Sequence, residues 1–389
     1  MILEVPRSEA LQVRKPGWAL VYGRRKTGKT FMIRRQVPHD AYYFIGRGGY
    51  AIGEENLSYR VFRERFLSHL KSGETVVVDE FQRLPQEFLD LLHKESASRG
   101  KVILVGSSMS VVNRIVGKRG PLLGLVRPVK VGLVRPSDLA KVMRTNMLEY
   151  AAFLRDPWIL RFVEEPLSLD QVIESIRVNV PALIGEVFEE EDRVLTERYE
   201  LILRALSLGN STPGSVASFI SGLTEENLKG QDVKSYLENM VKMGLVEKVR
   251  VFKKRKHHYR IESPLIDLFY YLDTKTGFNE LDVPMDELVR LAKLKVGLYF
   301  EDFVVKLLAE IRGAIVYKSW DPEIDGLLVK DGEVTAVEVK MGSISRGEVV
   351  KLREKGKFKW VVVARDGPHD LEIITHDELL RLAVSGRRG

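Results

Sequence analysis

Near the N-terminus, Gly23-Arg24-Arg25-Lys26-Thr27-Gly28-Lys29-Thr30 follows the spacing G-x-x-x-x-G-K-S/T. Glycines at the first and sixth positions let the backbone bend until successive N–H groups face one point at a helix N-terminus, where the macrodipole favours an anion. An amine in the next position reaches the β and γ phosphates of a nucleotide, and the hydroxyl after it suits Mg²⁺. The run therefore predicts an ATP site in which Gly23, Arg24, Arg25, Lys26, Thr27, Gly28, Lys29 and Thr30 bind phosphate, Lys29 also serving catalysis and Thr30 the metal. Arg24, Arg25 and Lys26 put three cations beside the positive end of a helix dipole. That arrangement repels unless an anion sits among them or all three point into solvent.

Further along, Val76-Val77-Val78 reads as a buried strand that ends in Asp79 and Glu80. Open α/β sheets bind ligands at the carboxyl ends of their strands. Asp79 is thus expected to hold magnesium through water, and Glu80 to polarise the attacking water. The run Lys101 to Gly106 ends in Ser107 and Ser108, placed to sense a γ-phosphate or, for Ser107, to cap the following helix.

Another group of charges lies toward the C-terminus. Asp331-Gly332 between strand-like runs is a two-residue hairpin signal that pairs Lys330 with Glu333. Counting outward sets Asp325 across from Glu338, Cβ atoms about 5 Å apart, with Lys340 on the same face. Two opposed carboxylates destabilise a hairpin, and a divalent cation between them reverses the sign. Asp325 and Glu338 are therefore candidate metal ligands and catalytic groups, with Lys340 orienting water or offsetting charge during phosphodiester attack. A surface Glu–Lys pair beside a turn-flanking aspartate is the plain structural alternative. Glu301 borders an apolar helical stripe of Leu298, Val304, Val305 and Leu308 and is expected either to point toward the same sheet or to stand partly exposed at the helix edge.

Lys253-Lys254-Arg255-Lys256-His257-His258 stands between strand-like runs at 246–252 and 259–261, with Lys234 and Lys242 on the helix before it. A cationic hairpin tip tracks phosphates and releases their counterions. It also protects a strand edge with no ligand at all. His257 and His258 point to opposite faces of a strand and so make no metal pair.

These side chains need elements to hold them. Strand-like WALVY, TVVVD and KVILVG alternate with helical stretches, which predicts an α/β fold with a parallel sheet over residues 1–135. Helical spacing dominates residues 136–195, as in LEYAAFL and LDQVIESI, and reads as a helical lid. Over residues 196–275, three short helices precede a β-hairpin, the order of a winged helix-turn-helix. After a polar linker from Asp273 to Asp286, the apolar helix VGLYFEDFVVKLLAEI opens an α/β domain over residues 287–389.

At 389 residues the chain exceeds one ordinary core. It has no cysteine, which excludes disulfides, thiolate metal sites and cysteine nucleophiles. No run of about 18 apolar residues occurs, and Glu4 and Pro6 interrupt any signal-peptide stretch. We expect a cytoplasmic protein without a membrane partner. The net charge of +7 suits a polyanion. Only six glutamines accompany the 30% of charged residues, a thermophile-like pattern.

With these motifs in place, the chain resembles archaeal P-loop ATPases of the STAND and AAA-like superfamily that carry a winged helix and a C-terminal domain of the PD-(D/E)XK nuclease type. The resemblance runs through YGRRKTGKT, VVVDEFQRLP, LVGSSMSVV, GLVEKV, YRIESPLIDLFYYL and GLYFEDFV. It implies a restriction-endonuclease-like C-terminal fold, Lys29 and Thr30 for ATP and Mg²⁺, Asp79 and Glu80 for hydrolysis, Ser107 or Ser108 as sensor, and Glu301 as a further metal ligand. Such proteins usually carry an arginine after the glycine of a P-L-Y-G-R type motif. Here Pro121-Leu122-Leu123-Gly124 is followed by Leu125, leaving Arg127 and Arg119 as candidates. The first reading is an ATP-regulated nuclease acting on nucleic acid, DNA favoured. The second is an ATP-driven switch that binds DNA or protein without cutting, and a third, an origin-type loader, leaves the last domain unexplained. A homo-oligomer is compatible with all three.

Overall fold

The computed structural model describes residues 4–46, 48–52, 55–117, 120–164, 166–191, 193–319, 321–368 and 372–385. The chain divides into two compact units, one of residues 6–132 with 183–194, the other of residues 1–5, 133–182 and 195–389.

The first unit carries α1 (Ser8–Arg14), β1 (Trp18–Tyr22), α2 (Lys29–Gln36), β2 (Ala41–Ile45), β3 (Tyr50–Ile52), β4 (Glu55–Leu57), α3 (Tyr59–Lys71), β5 (Thr75–Asp79), α4 (Gln86–Lys94), β6 (Lys101–Gly106), α5 (Met109–Val116) and β7 (Val126–Lys130). Its sheet runs in the order β4-β3-β2-β5-β6-β1-β7. The five strands from β2 to β7 in that order are parallel, and β3 and β4 continue the edge as antiparallel strands. Alternate residues of each central strand feed two cores. Leu20, Val76, Val78 and Leu104 pack on Phe62, Phe66 and Phe88, while Val21, Val77, Ile103 and Val105 pack on Val13, Met32 and Ile33. A sheet buried on both faces demands continuous β-branched runs, which is why these strands were readable.

Strands β2, β3, β4 and β7 had no such signal. The strand β7 reads VRPVK, and its proline is tolerated because β7 is the sheet's edge. Strand β6 lies between β1 and β5, so the loop after β1, the serines after β6 and the acids ending β5 share one edge of the sheet.

The second unit begins with α6 (Pro136–Ala140) and α7 (Ala151–Leu154), followed by α8 (Leu169–Glu190). Residues of α8 from Leu183 onward belong to the first unit. Helices α9 (Glu197–Ser207), α10 (Pro213–Ser221) and α11 (Gly230–Lys242) precede the hairpin β8 (Val246–Arg250) and β9 (His257–Ile261). The tip is therefore residues 251–256, and His257 and His258 stand in β9 rather than in the tip. Helix α12 (Pro264–Thr276) runs into the expected linker, and α13 (Met285–Arg312) starts before its expected apolar core. The linker shrinks to residues 277–284, with Gly277 at φ 67° ending α12.

Strands β10 (Ile315–Tyr317), β11 (Gly326–Lys330) and β12 (Glu333–Val339), helix α14 (Arg346–Glu354), strands β13 (Lys359–Ala364) and β14 (Glu372–Thr375) and helix α15 (His376–Ser385) complete the unit. The sheet order is β10-β11-β12-β13-β14, antiparallel through β12 and parallel beyond. Residues 196–275 and 287–389 fall within the same compact unit. A charge network ties them: Arg260 of β9 bonds Glu247 at 3.1 Å and Asp302 of α13 at 2.6 Å, and Lys306 reaches the same two carboxylates at 2.8 and 3.1 Å. Burial pushes the Glu247 carboxyl up, but Arg260 and Lys306 outweigh it and hold the group well below the ordinary range.

Candidate functional site

The cradle is built by close approach. Gly23 has φ 155°, and a Cβ there would stand 1.9 Å from the Val131 carbonyl oxygen, so no other residue fits. Thr27 is buried, its Oγ1 lying 2.9 Å from Arg24 O and 3.2 Å from Val131 O. Arg7, which no motif in the sequence marks, donates to Thr27 O at 3.1 Å and to Gly132 O at 3.0 Å while paired with Glu9 at 3.0 Å. Arg7 and Glu9 are both buried.

Lys29 opens α2 and is buried; its Nζ donates to Gly23 O at 2.8 Å and Arg24 O at 2.9 Å. Burial lowers its pKa to about 8, against the pull of Glu190, Glu80 and Asp79. Thr30 Oγ1 donates to Asp79 Oδ2 at 2.7 Å. Tyr42 of β2 donates to the same oxygen, and the Arg34 guanidinium lies 4.4 Å over its ring. A hydroxyl and a carboxylate side by side are the hard oxygen donors that Mg²⁺ takes, so this pair fits the metal.

Glu80 is in the left-handed region at φ 59°, uncommon for a residue with a side chain and frequent at functional sites. Its Oε2 accepts from Gln82 Nε2 at 2.7 Å and stands 3.5 Å from Arg83. Burial raises its pKa, Arg83 opposing and Asp79 adding. Gln82 also reaches Ser107 Oγ at 3.4 Å, linking the strand-end acid to the buried serine that follows β6. The cap expected of Ser107 belongs instead to Ser108, whose Oγ accepts from Val111 N at 3.2 Å.

The three loop cations do not point into solvent together. Arg24 is buried, and Arg25 bonds Glu186 at 2.8 Å and Glu190 at 2.5 Å, both from the end of α8. Arg127 lies away from this chain's own phosphate cradle. It pairs in register with Ala19, toward the amino end of β1, and its guanidinium donates to the Gln12, Lys15 and Pro16 carbonyls at the end of α1. Arg119 lies outside the described residues.

In the second unit the predicted hairpin register holds, with Gly326 opposite Val337 and Lys330 opposite Glu333. Asp331 and Gly332 both have positive φ, as the tight two-residue turn requires. Asp325, however, lies one residue outside the ladder, and its Oδ2 accepts from Val339 N at 2.7 Å instead of facing Glu338 as a strand partner. Glu338 is buried and pairs with Lys340 at 3.3 Å and Lys355 at 3.4 Å. Glu301 of α13 completes the group. Burial raises its pKa to about 7, with the Asp325 and Glu338 carboxylates adding, and Asp325 is pushed up to about 6 by burial and Glu338. Among the described residues, no three His, Asp or Glu side chains are grouped so as to hold a metal ion. Lysines compensate these carboxylates where the hairpin register alone predicts a cation.

Lys253, Lys254, Arg255 and Lys256 are exposed at the hairpin tip. The tip is seamed to the C-terminal sheet: Lys318 N donates to Arg250 O at 2.9 Å, Phe252 N donates to Lys318 O at 2.9 Å, and Phe252 packs edge-on to Tyr317. Lys318 Nζ in turn donates to Asp325 O at 3.2 Å, so one residue joins the basic tip to the carboxylate group. His258 Nδ1 lies 2.5 Å from Ser211 Oγ.

No helix among the described residues is long and apolar enough to cross a membrane. No family profile matches the chain, and no curated protein matches it. Among solved structures it is similar to a Walker-type ATPase of Pyrococcus abyssi, at 16% identity over 69% of this chain and 99% of that one, with a TM-score of 0.46. It is also similar to the Aeropyrum pernix ORC2 protein in ADPNP-ADP complexes, at 15% identity over 74% of this chain and 90% of that one, TM-score 0.40. The Aeropyrum pernix ORC1 protein in complex with DNA aligns at 16% identity over 70% of this chain and 91% of that one, TM-score 0.30. At these TM-scores the likenesses carry no functional weight, and function has to be read from the residues themselves.

Proposed function

We propose that the first unit binds and hydrolyses ATP with magnesium. The observation that carries this is the meeting of Thr30 and Asp79 at 2.7 Å beside Lys29 in its cradle. Residues far apart in the chain converge on the hydroxyl, carboxylate and amine that a nucleotide phosphate and its metal need. Magnesium would draw charge from the β and γ phosphates there. The Lys29 amine exchanges the Gly23 and Arg24 carbonyls for phosphate oxygens, and Glu80, its pKa raised by burial, takes a proton from the attacking water. Lys29→Ala is expected to lose nucleotide binding, and Glu80→Gln to bind without turnover; undiminished phosphate release in either variant contradicts the assignment.

For the second unit, the exposed tip Lys253–Lys256 supports a winged-helix contact to a nucleic-acid backbone. Metal-dependent phosphodiester cleavage is the accompanying chemistry of this reading: Glu301, Asp325 and Glu338 act on one another electrostatically, although the three do not form a metal-holding group. The non-cutting switch is favoured instead by the partners these carboxylates already have, since Asp325 serves Val339 N and Glu338 serves two lysines. Incubation with single- and double-stranded DNA and RNA, with Mg²⁺ or Mn²⁺ and with or without ATP, separates the two. Metal-dependent cleavage lost in Asp325→Asn supports the nuclease, and retention without cleavage supports the switch.

A further inference from the structure

The end of α8 brings negative charge to a place that a nucleotide's own charge must occupy. Glu186 and Glu190, spaced i and i+4, share one helix face. Glu186 takes Arg25 Nε at 2.8 Å and stands 3.8 Å from Lys26 Nζ, while Glu190 takes Arg25 Nη1 at 2.5 Å. Glu190 also acts electrostatically on Lys29 and on Glu80, so its charge is felt across the cradle. The next residue, Glu191, is occupied differently, accepting from Met109 N at 2.5 Å at the start of α5. That bond anchors the segment beside the cradle, and it does not depend on the loop cations.

A guanidinium donates its N–H groups to carboxylate or phosphate oxygens with the same geometry. Arg25 and Glu186 side chains are 35% and 36% exposed, so water reaches that pair, while Glu190, at 15%, is more enclosed and keeps the Lys29 charge near it when the guanidinium leaves. We infer that Glu186 and Glu190 are nucleotide-site residues that compete with a triphosphate for Arg25: the terminal phosphate takes the guanidinium, and the acidic end of α8 is released from the loop. This rests on the ATP reading of the cradle. It assigns to Arg25 the terminal-phosphate contact that the chain lacks after Gly124, and it makes triphosphate affinity a property of two glutamates outside the sequence motif. Because the exchange involves the terminal phosphate, a diphosphate gains less from removal of the two carboxylates.

The test is equilibrium binding of fluorescent ATP and ADP analogues to the full chain with Mg²⁺, in the parent, Lys29→Ala, Glu186→Gln/Glu190→Gln, and that double variant with Arg25→Ala added. The double variant is expected to bind the ATP analogue roughly tenfold tighter, the loss of one charge-assisted competitor, and the ADP analogue with a smaller gain. Adding Arg25→Ala removes the gain. In turnover, KM falls. Unchanged or weaker ATP binding in a double variant that melts like the parent overturns the inference. If the double variant does not fold, Glu186→Gln alone is expected to show a gain in the same direction, and its absence is equally contrary. Loss of binding in Lys29→Ala without any gain in the glutamine variants overturns only this inference, whereas a parent that binds no nucleotide, or binds it independently of Lys29, overturns the ATP reading with it.

Discussion

Arg7 shows how a buried charge outside the sequence motif can hold the phosphate loop in shape. Its guanidinium spans the cradle carbonyl of Thr27 and the Gly132 carbonyl while held by Glu9, all away from water. Removing one partner of such a pair strands the other, at a cost of about 3–5 kcal/mol. Arg7→Ala is therefore expected to lower the unfolding free energy from denaturant melts by that order and raise KM for ATP, while Arg7→Ala/Glu9→Ala recovers part of the stability but not the KM. Equal KM in Arg7→Ala and parent would show that the loop holds its shape without Arg7. Glu301 supplies a second residue-level prediction. Burial and neighbouring carboxylates raise its folded pKa to about 7 from an ordinary 4.5, so the folded chain keeps a proton that the unfolded chain has lost. Its contribution is most favourable below the ordinary value and declines as pH rises through about 7. Glu301→Gln should raise stability at pH 8 by about 1 kcal/mol, allowing for partial exposure, and should flatten the dependence between pH 5 and 8, both read from denaturant melts.

At the scale of elements, what was readable is what lies contiguous in the chain. The cradle and the strand ending in Asp79-Glu80 are single runs whose local rules place their atoms, and Asp331-Gly332 set its own register through two positive φ values. Tyr42 reaches Asp79 only because β2 pairs beside β5, and Glu190 reaches Arg25 only because residues 183–194 join the first unit. No pattern of period 2 or 3.6 encodes pairings across such separations, so both residues were invisible. The charged tip was legible, its attachment was not: Phe252 pairs with Lys318 through backbone groups that any sequence supplies. Reversing Lys253, Lys254 and Arg255 to glutamate is expected to weaken DNA or RNA binding at every sequence and to flatten its salt dependence, with ATP turnover in the absence of nucleic acid retained. An unchanged salt slope would assign the tip to a protein partner.

For the molecule as a whole, the two compact units put the phosphate cradle and the carboxylate–lysine group in different bodies of the fold, each with its own sheet. Ligand linkage is the cheapest readout of the first: ATP with Mg²⁺ at about 100 times its Kd should add roughly 2.7 kcal/mol to stability, and Lys29→Ala should abolish the increment. The charge-rich, cysteine-free composition further predicts melting above about 65 °C, beyond the usual mesophile range. That Lys29, Thr30, Asp79 and Glu80 form a hydrolytic nucleotide site is tested most sharply by Glu80→Gln, because the substitution keeps the size of the side chain while removing its proton acceptor. Measured together, ATP affinity and steady-state phosphate release should separate in this variant, affinity staying within about threefold of the parent while release falls by on the order of 100-fold or more. Phosphate release at the parental rate from a Glu80→Gln protein that still binds ATP would contradict the hydrolytic role of this site.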